Sequence, residues 1–256
     1  MKKSICCIAL ALVMALSTVG LFASCAKEKK KTLVMATNAT FPPYEYKDGA
    51  AFAGIDVELA QAIADKLGMK LEIQDVEFGA IVAGVESGKY DIGMAGMTVT
   101  EDRKKQVSFS TTYATGVQVV IVKEDSAIQS PADITTSSKI GVQQDTTGDL
   151  YASDTPEKGG WGEAAVTRYK NGADAVQALQ TGKLDCVIID KEPAKSFVAA
   201  NSGLKILDTE YTNEDYAIAV GKNNTELLEK INKALDELKK DGTIDKIVSK
   251  YIPADK

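Results

Sequence analysis

Two stretches of this chain carry one local pattern. Val82-x-x-Val85-x-Ser87-Gly88-Lys89-Tyr90-Asp91 and Val176-x-x-Leu179-x-Thr181-Gly182-Lys183-Leu184-Asp185 align at an offset of 94 residues. Each reads as the end of an amphipathic helix, a Gly-Lys turn that stops it, and a strand that begins at Asp. A chain that uses this unit twice is expected to hold two similar α/β halves. Carried forward, the offset sets Gly96 against Asp190. Both then lie at the carboxyl end of a strand, where open α/β sheets bind ligands. The pattern therefore predicts a cleft with Arg103, shortly after Gly96, on one wall and Asp190 on the other.

The rest of the chain fits that frame. Strand-like runs at 32–37, 71–76, 91–95, 118–122, 139–143, 184–189, 205–207 and 216–220 alternate with helical patterns at 56–67, 79–87, 100–107, 173–180, 192–200 and 225–240. A further helix follows Gly148, and a last short one carries Ile244, Ile247, Val248 and Tyr251. Such alternation means α/β structure with mostly parallel sheets flanked by helices. Residues 38–46 read as a loop because Pro42-Pro43 forbids helix. Asp56 reads as a helix N-cap.

The first residues form an address. Lys2 and Lys3 precede an apolar run at 5–16, followed by Phe22-Ala23-Ser24-Cys25. Small residues before a Cys resemble the lipobox of bacterial lipoproteins, with Phe22 where Leu is usual. That resemblance implies a signal peptide over 1–24, lipidation of Cys25, a polar tether over 25–31 and an extracytoplasmic, membrane-anchored protein. Cys6 and Cys7 would leave with the signal, and Cys186 inside Cys-Val-Ile-Ile reads as a buried small hydrophobe.

The chain of 256 residues contains no histidine. This excludes Ser-His-Asp and Cys-His catalysis and His-ligated zinc. A net charge of −6 argues against a nucleic-acid surface. Neither a metal nor a cofactor is expected.

Thr100 is a good helix N-cap, and the residue three places on would ordinarily be Glu or Gln. Here it is Arg103, a cation against the helix dipole, which becomes favourable when an anion sits between them. With Asp190 opposite, such a cleft suits a zwitterion: guanidinium to α-carboxylate, carboxylate to α-ammonium. Thr98 adds a hydroxyl and an N–H, Thr146 and Thr147 add donors from the second half, and Phe41 and Phe78 offer flat apolar faces. Each residue also has a plainer role: a solvated Arg, core Phe side chains, a Thr N-cap, an Asp capping the helix that follows it.

Asn38-Ala-Thr-Phe41-Pro-Pro-Tyr44-Glu-Tyr, Gly54-Ile-Asp56-Val-Glu-Leu-Ala, Gly88-Lys-Tyr-Asp91, Met97-Thr98-Val-Thr100-Glu-Asp-Arg103 and Val107-x-Phe109-Ser110 resemble the polar amino-acid-binding proteins of bacterial ABC importers, solute-binding protein family 3. Gly141-Val-Gln143, Thr146-Thr147-Gly148, Asp190 and Asp241-Gly242-Thr243 are similar as well. The resemblance implies a two-lobe periplasmic-binding-protein (flytrap) fold that closes on one free L-amino acid and delivers it to a membrane permease. It implies lobes at 32–117 with 221–256 and at 118–220, hinge crossovers near 118–122 and 216–220, and a monomer. It implies that Arg103 and Thr98 hold the α-carboxylate, that Asp190 holds the α-ammonium with help near Ala95 and Gly96, that Phe41 and Phe78 sandwich the side chain, and that Asn38 and Gln143 read its tip. Asn38 stands where members that bind basic amino acids often carry Asp, and Asp145 stands where Gly is common. Two amides at the tip predict a glutamine-like ligand, with a basic amino acid as the alternative. A dehydratase of aromatic amino-acid biosynthesis on the same scaffold, or an amino-acid sensor, are the competing functions.

Overall fold

The computed structural model describes residues 31–207 and 212–253. The signal, the lipidation at Cys25 and all but the end of the tether lie outside the described residues. Two sheets organise what is described. The first runs β5 (Lys70–Asp75), β1 (Thr32–Thr37), β6 (Ile92–Gly93), β14 (Ala219–Gly221), β7 (Val107–Phe109), with the first three parallel and β14 antiparallel to both its neighbours. The second runs β10 (Val166–Tyr169), β9 (Ile140–Gln143), β11 (Cys186–Asp190), β8 (Ala114–Lys123), β12 (Leu204–Ile206), with β13 (Thr212–Tyr216) also on β8. Its first three strands are parallel, and β8 is antiparallel to every partner.

The repeated pattern is a repeated structure. Helix α2 (Gly79–Glu86) and helix α5 (Gly172–Gln180) both end in a Schellman turn. The Lys89 N–H reaches Gly84 O and the Lys183 N–H reaches Ala178 O, each at 2.9 Å. Gly88 and Gly182 take φ of 75° and 77°, a left-handed conformation that a side chain would strain. The Asp that opens each strand then bonds its neighbour: Asp91 Oδ2 accepts from Val34 N at 2.8 Å, and Asp185 Oδ2 accepts from Lys139 N at 2.7 Å. The two aspartates thus set strand register in the two sheets.

Helices pack on both sheets. Helix α1 (Ile55–Lys66) buries Ile55, Leu59 and Ile63. Helices α3 (Glu101–Gln106), α4 (Thr147–Ser153) and α6 (Lys191–Ala200) each follow a strand end. Helix α7 (Thr225–Lys240) lays Ile231, Ala234, Leu235 and Leu238 inward, and helix α8 (Thr243–Tyr251) adds Ile244 and Ile247. Burial of each of the larger of these side chains contributes about 1.5–3 kcal/mol.

The chain passes from the first sheet to the second over 110–113 and returns over 217–218. These passages run side by side, Ser110 N on Ile218 O at 2.9 Å and Tyr113 N on Tyr216 O at 3.0 Å. Three local expectations differ. Residues 40–53 form a small antiparallel sheet of β2 (Thr40–Phe41), β3 (Glu45–Asp48) and β4 (Ala51–Ala53), because short strands can flank the Pro pair without spending its missing donors. Residues 107–109 are strand, paired antiparallel with β14 and anchored by the buried Val107. Asp56 is not an N-cap: α1 starts after Gly54, at φ 120°, and Asp56 is wholly buried within its first turn.

Candidate functional site

Asn38, Phe41, Phe78, Ala95, Gly96, Thr98, Arg103, Gln143, Thr146, Thr147 and Asp190 line one cavity, and Glu45 joins them. The space between these side chains, its opening to solvent included, is about 300 Å³. Its walls come from the strand ends of both sheets.

Thr100 caps α3 as expected, its hydroxyl accepting from Arg103 N at 3.2 Å. The Arg103 side chain then turns inward and is buried. Nη1 donates to Thr98 O at 2.8 Å and Nη2 to Asp145 O, on the other side of the cleft, at 3.0 Å. The guanidinium lies 5.1 Å from the Phe78 ring centre. Two of its five N–H donors are spent on carbonyls, which leaves it donors for an anion. Burial pulls its pKa down, while Glu214 and Asp190 act the other way.

Asp145 is the chain's one described non-glycine residue at positive φ, 65°. Asp is among the few side chains that tolerate this region. Its N–H donates to Asp149 Oδ2 at 3.0 Å, and Asp149 also accepts from Arg168 Nε at 2.8 Å. Its own carboxylate leans on α2 across the cleft, where a Cβ on Gly79 would stand 2.0 Å from Oδ2.

Asp190 ends β11 and stands at the N-cap of α6, but its side chain makes no cap bond. It accepts instead from the Tyr216 hydroxyl. Burial, then the charge of Glu214, pushes its carboxyl up to about 7. At the opposite end, Asn38 Oδ1 accepts from Gln143 Nε2 at 2.9 Å. Thr146 caps α4, accepting from Asp149 N at 3.3 Å, so its plain role and its place in the cavity coexist. Gly96, at φ 51°, brings its N–H to Asp56 Oδ2 at 2.8 Å, and a Cβ there would press on Phe41 at 3.1 Å.

The sequence reasoning missed an acid pair below the cavity. Glu45 and Asp56 are both buried and bonded side chain to side chain, and Glu45 Oε2 and Asp56 Oδ1 find no other donor among the described residues. Asp56 Oδ2 takes Gly96 N–H and the Tyr113 hydroxyl, the latter at 2.9 Å. Those bonds favour the Asp56 carboxylate, which burial nonetheless raises to about 6; Glu45 is pushed well above the usual range by burial and by Asp56 beside it. Glu45 is therefore the neutral acid. It also missed Glu214, buried on β13, whose Oε2 accepts from Thr98 Oγ1, Thr147 Oγ1 and Gln118 Nε2 at 2.9, 3.0 and 3.1 Å. The signal for Glu214 was its spacing: two residues before the buried Tyr216, on the same strand face.

Among the described residues no group of three or more His, Cys, Asp or Glu could hold a metal ion, and no helix is long and apolar enough to cross a membrane.

The family model for bacterial extracellular solute-binding proteins, family 3, matches residues 33–254. The chain belongs to that family. It is 34% identical over 252 residues to the arginine-binding extracellular protein ArtP of Bacillus subtilis (strain 168), covering 97% of each chain. An ancestral arginine-binding protein bound to glutamine is 42% identical with a TM-score of 0.80, over 87% of this chain and 98% of that one. The structure of an ancestral arginine-binding protein bound to arginine matches at 42% identity and TM-score 0.80, over 88% and 99%. The two-lobe α/β architecture of this family is that of the two sheets described above.

Proposed function

We propose that this extracellular solute-binding protein captures one free polar amino acid between its lobes and delivers it to an ABC importer. The observation that carries this reading is Arg103 and Asp190 in one cavity, a buried cation and a buried carboxyl from opposite lobes. Arg103 takes the α-carboxylate and Asp190 the α-ammonium. Phe41 and Phe78 flank the side chain, and Thr98, Thr146 and Thr147 with the Ala95–Gly96 backbone complete the rim. Closure is a shift of population toward the form that the bridging ligand favours. No catalytic step is assigned.

The acid balance of the site favours a cationic side chain. Glu214 and Asp190 both act on the one guanidinium, and Glu45 adds a third acid to the cavity wall. Arginine is therefore the first ligand to test. The Asn38–Gln143 amide pair supports a second reading, glutamine, whose amide matches both.

The lobes take about 32–109 with 219–253 and about 114–216; the paired passages at 110–113 and 217–218 serve as the hinge, because the strand expected to cross near 118–122 lies wholly within the second sheet. Residues 1–24 act as a signal peptide, Cys25 carries lipid, and the protein works as a membrane-anchored monomer.

Thermal shift of the protein with each amino acid, and with prephenate and arogenate followed by product analysis, tests the reading. A ligand at about a thousand times its Kd adds about 4 kcal/mol, or roughly 10 °C in Tm for a chain of this size. Arginine is expected to give the largest shift, with no product from the aromatic precursors. A panel in which no amino acid raises Tm contradicts it.

A further inference from the structure

We infer that Glu214 is a positioning residue for cleft closure: its Oε2 is a single acceptor shared by Thr98 of one lobe and Thr147 of the other. The inference rests on the amino-acid-binding reading for what closure serves, not for whether the contact exists.

The three donors differ in where they come from. Gln118 and Thr147 belong to the same sheet system as Glu214, on β8 and at the start of α4. Thr98 stands between β6 and α3, in the lobe of the first sheet. Backbone bonds also tie the Thr98 segment to β13, Val99 N on Asp215 O at 2.9 Å and Ala217 N on Met97 O at 3.1 Å, so rotation at the hinge changes the reach of the Thr98 hydroxyl to Glu214 while the other two bonds stay within one lobe. Glu214 lies on β13 where the chain is about to return to the first sheet, and Thr98 already forms a bridge to Tyr216 two residues on. The contact thus sits at the hinge side of the cleft, where a small rotation decides whether it forms.

All three donors converge on one oxygen of a buried side chain, Glu214. Glu214 is also the charge that acts most strongly on Arg103, and it acts on Asp190. One carboxylate therefore holds hydroxyls from both lobes beside the two groups that grip the ligand. Without it, Thr98 and Thr147 lose their common partner, and the two lobes lose a side-chain link beside the hinge.

The test compares wild type with Glu214→Leu, Glu214→Gln and Thr98→Val. Solution X-ray scattering gives the radius of gyration without ligand, and calorimetry gives the affinity for arginine. Glu214→Leu and Thr98→Val are expected to be more open than wild type without ligand. Glu214→Leu is expected to bind about tenfold more weakly. Glu214→Gln keeps an acceptor oxygen for the three donors and is expected to stay compact and close to wild-type affinity, a rescue that a mere packing role would not predict for the amide alone. Wild-type compactness and affinity in a folded Glu214→Leu overturn the inference. Should that variant fail to fold, wild-type compactness in ligand-free Thr98→Val overturns it. A wild type that binds no amino acid sinks the functional reading, while the ligand-free radii still judge the contact.

Discussion

Asn38 and Gln143 join across the cleft, Gln143 Nε2 donating to Asn38 Oδ1 at 2.9 Å. The same oxygen accepts from Thr40 Oγ1 at 2.8 Å, and Asn38 Nδ2 donates to Val76 O at 2.8 Å, so the Asn38 amide has one orientation. Gln143 Oε1 is buried with no donor among the described residues. The far end of the cavity therefore asks for a ligand that donates hydrogen bonds. Asn38→Asp adds charge at this end. It is expected to raise the ratio of arginine to glutamine affinity by at least about tenfold, since a buried charge near a cation contributes more than one logarithmic unit. Calorimetry with both ligands measures the ratio.

Asp190 links binding to pH. Its carboxyl is raised to about 7, first by burial and then by Glu214. Tyr216 and Gln118 also face it, and Arg103 shares the cavity. A bound ammonium favours the carboxylate, so the liganded protein holds fewer protons than the free one. Affinity is expected to fall below about pH 7, by at most about tenfold per pH unit, and to be flat above it. Titrations between pH 5.5 and 8.5 read the slope.

Stability without ligand carries the opposite sign. Asp56, Asp190 and Glu45 have folded pKa values above their unfolded ones. Such groups contribute stability that is complete below the unfolded carboxylate range and is lost as pH rises through the folded values, about 6 for Asp56 and about 7 for Asp190. The Tm of the free protein is expected to rise from pH 8 to pH 5 while arginine affinity falls. A scan with and without arginine separates the two.

Gly79 is expected to matter for closure more than for stability. A Cβ there meets Asp145 Oδ2 at 2.0 Å, across the cleft. Ala suits a helix better than Gly by about 1 kcal/mol, so Gly79→Ala should keep or raise the Tm of the free protein. Its arginine affinity should fall several-fold, because the Asp145 side chain must swing aside before the lobes can meet. Tm and calorimetry on the same sample check both halves.

Much of this site could be read from the chain because its residues sit at strand ends and helix starts, where local pattern and position coincide. The echo of 82–91 in 176–185 located both lobes, since a Schellman turn needs Gly and a strand-opening Asp serves register. Arg103 was legible as a wrong charge three residues after Thr100. Glu45, Asp56 and Glu214 were not. Each gains its role from a partner far along the chain: Asp56 from Gly96 and Tyr113, Glu214 from Thr98, Gln118 and Thr147. Asp56 also occupied a place where a surface cap explained it equally well, and only burial distinguishes the two. The strands at 40–53 are too short to show a period.

The central claim is that Arg103 grips an α-carboxylate, and calorimetry of wild type and Arg103→Ala with arginine and with agmatine, its decarboxylated analogue, tests it directly. Breaking a buried ion pair costs about 3–5 kcal/mol. Wild type is expected to bind arginine at least about a hundredfold more tightly than agmatine by that energy, and Arg103→Ala is expected to bind both alike and weakly. Wild-type affinity for arginine in Arg103→Ala, or equal affinity of wild type for the two compounds, would contradict the account.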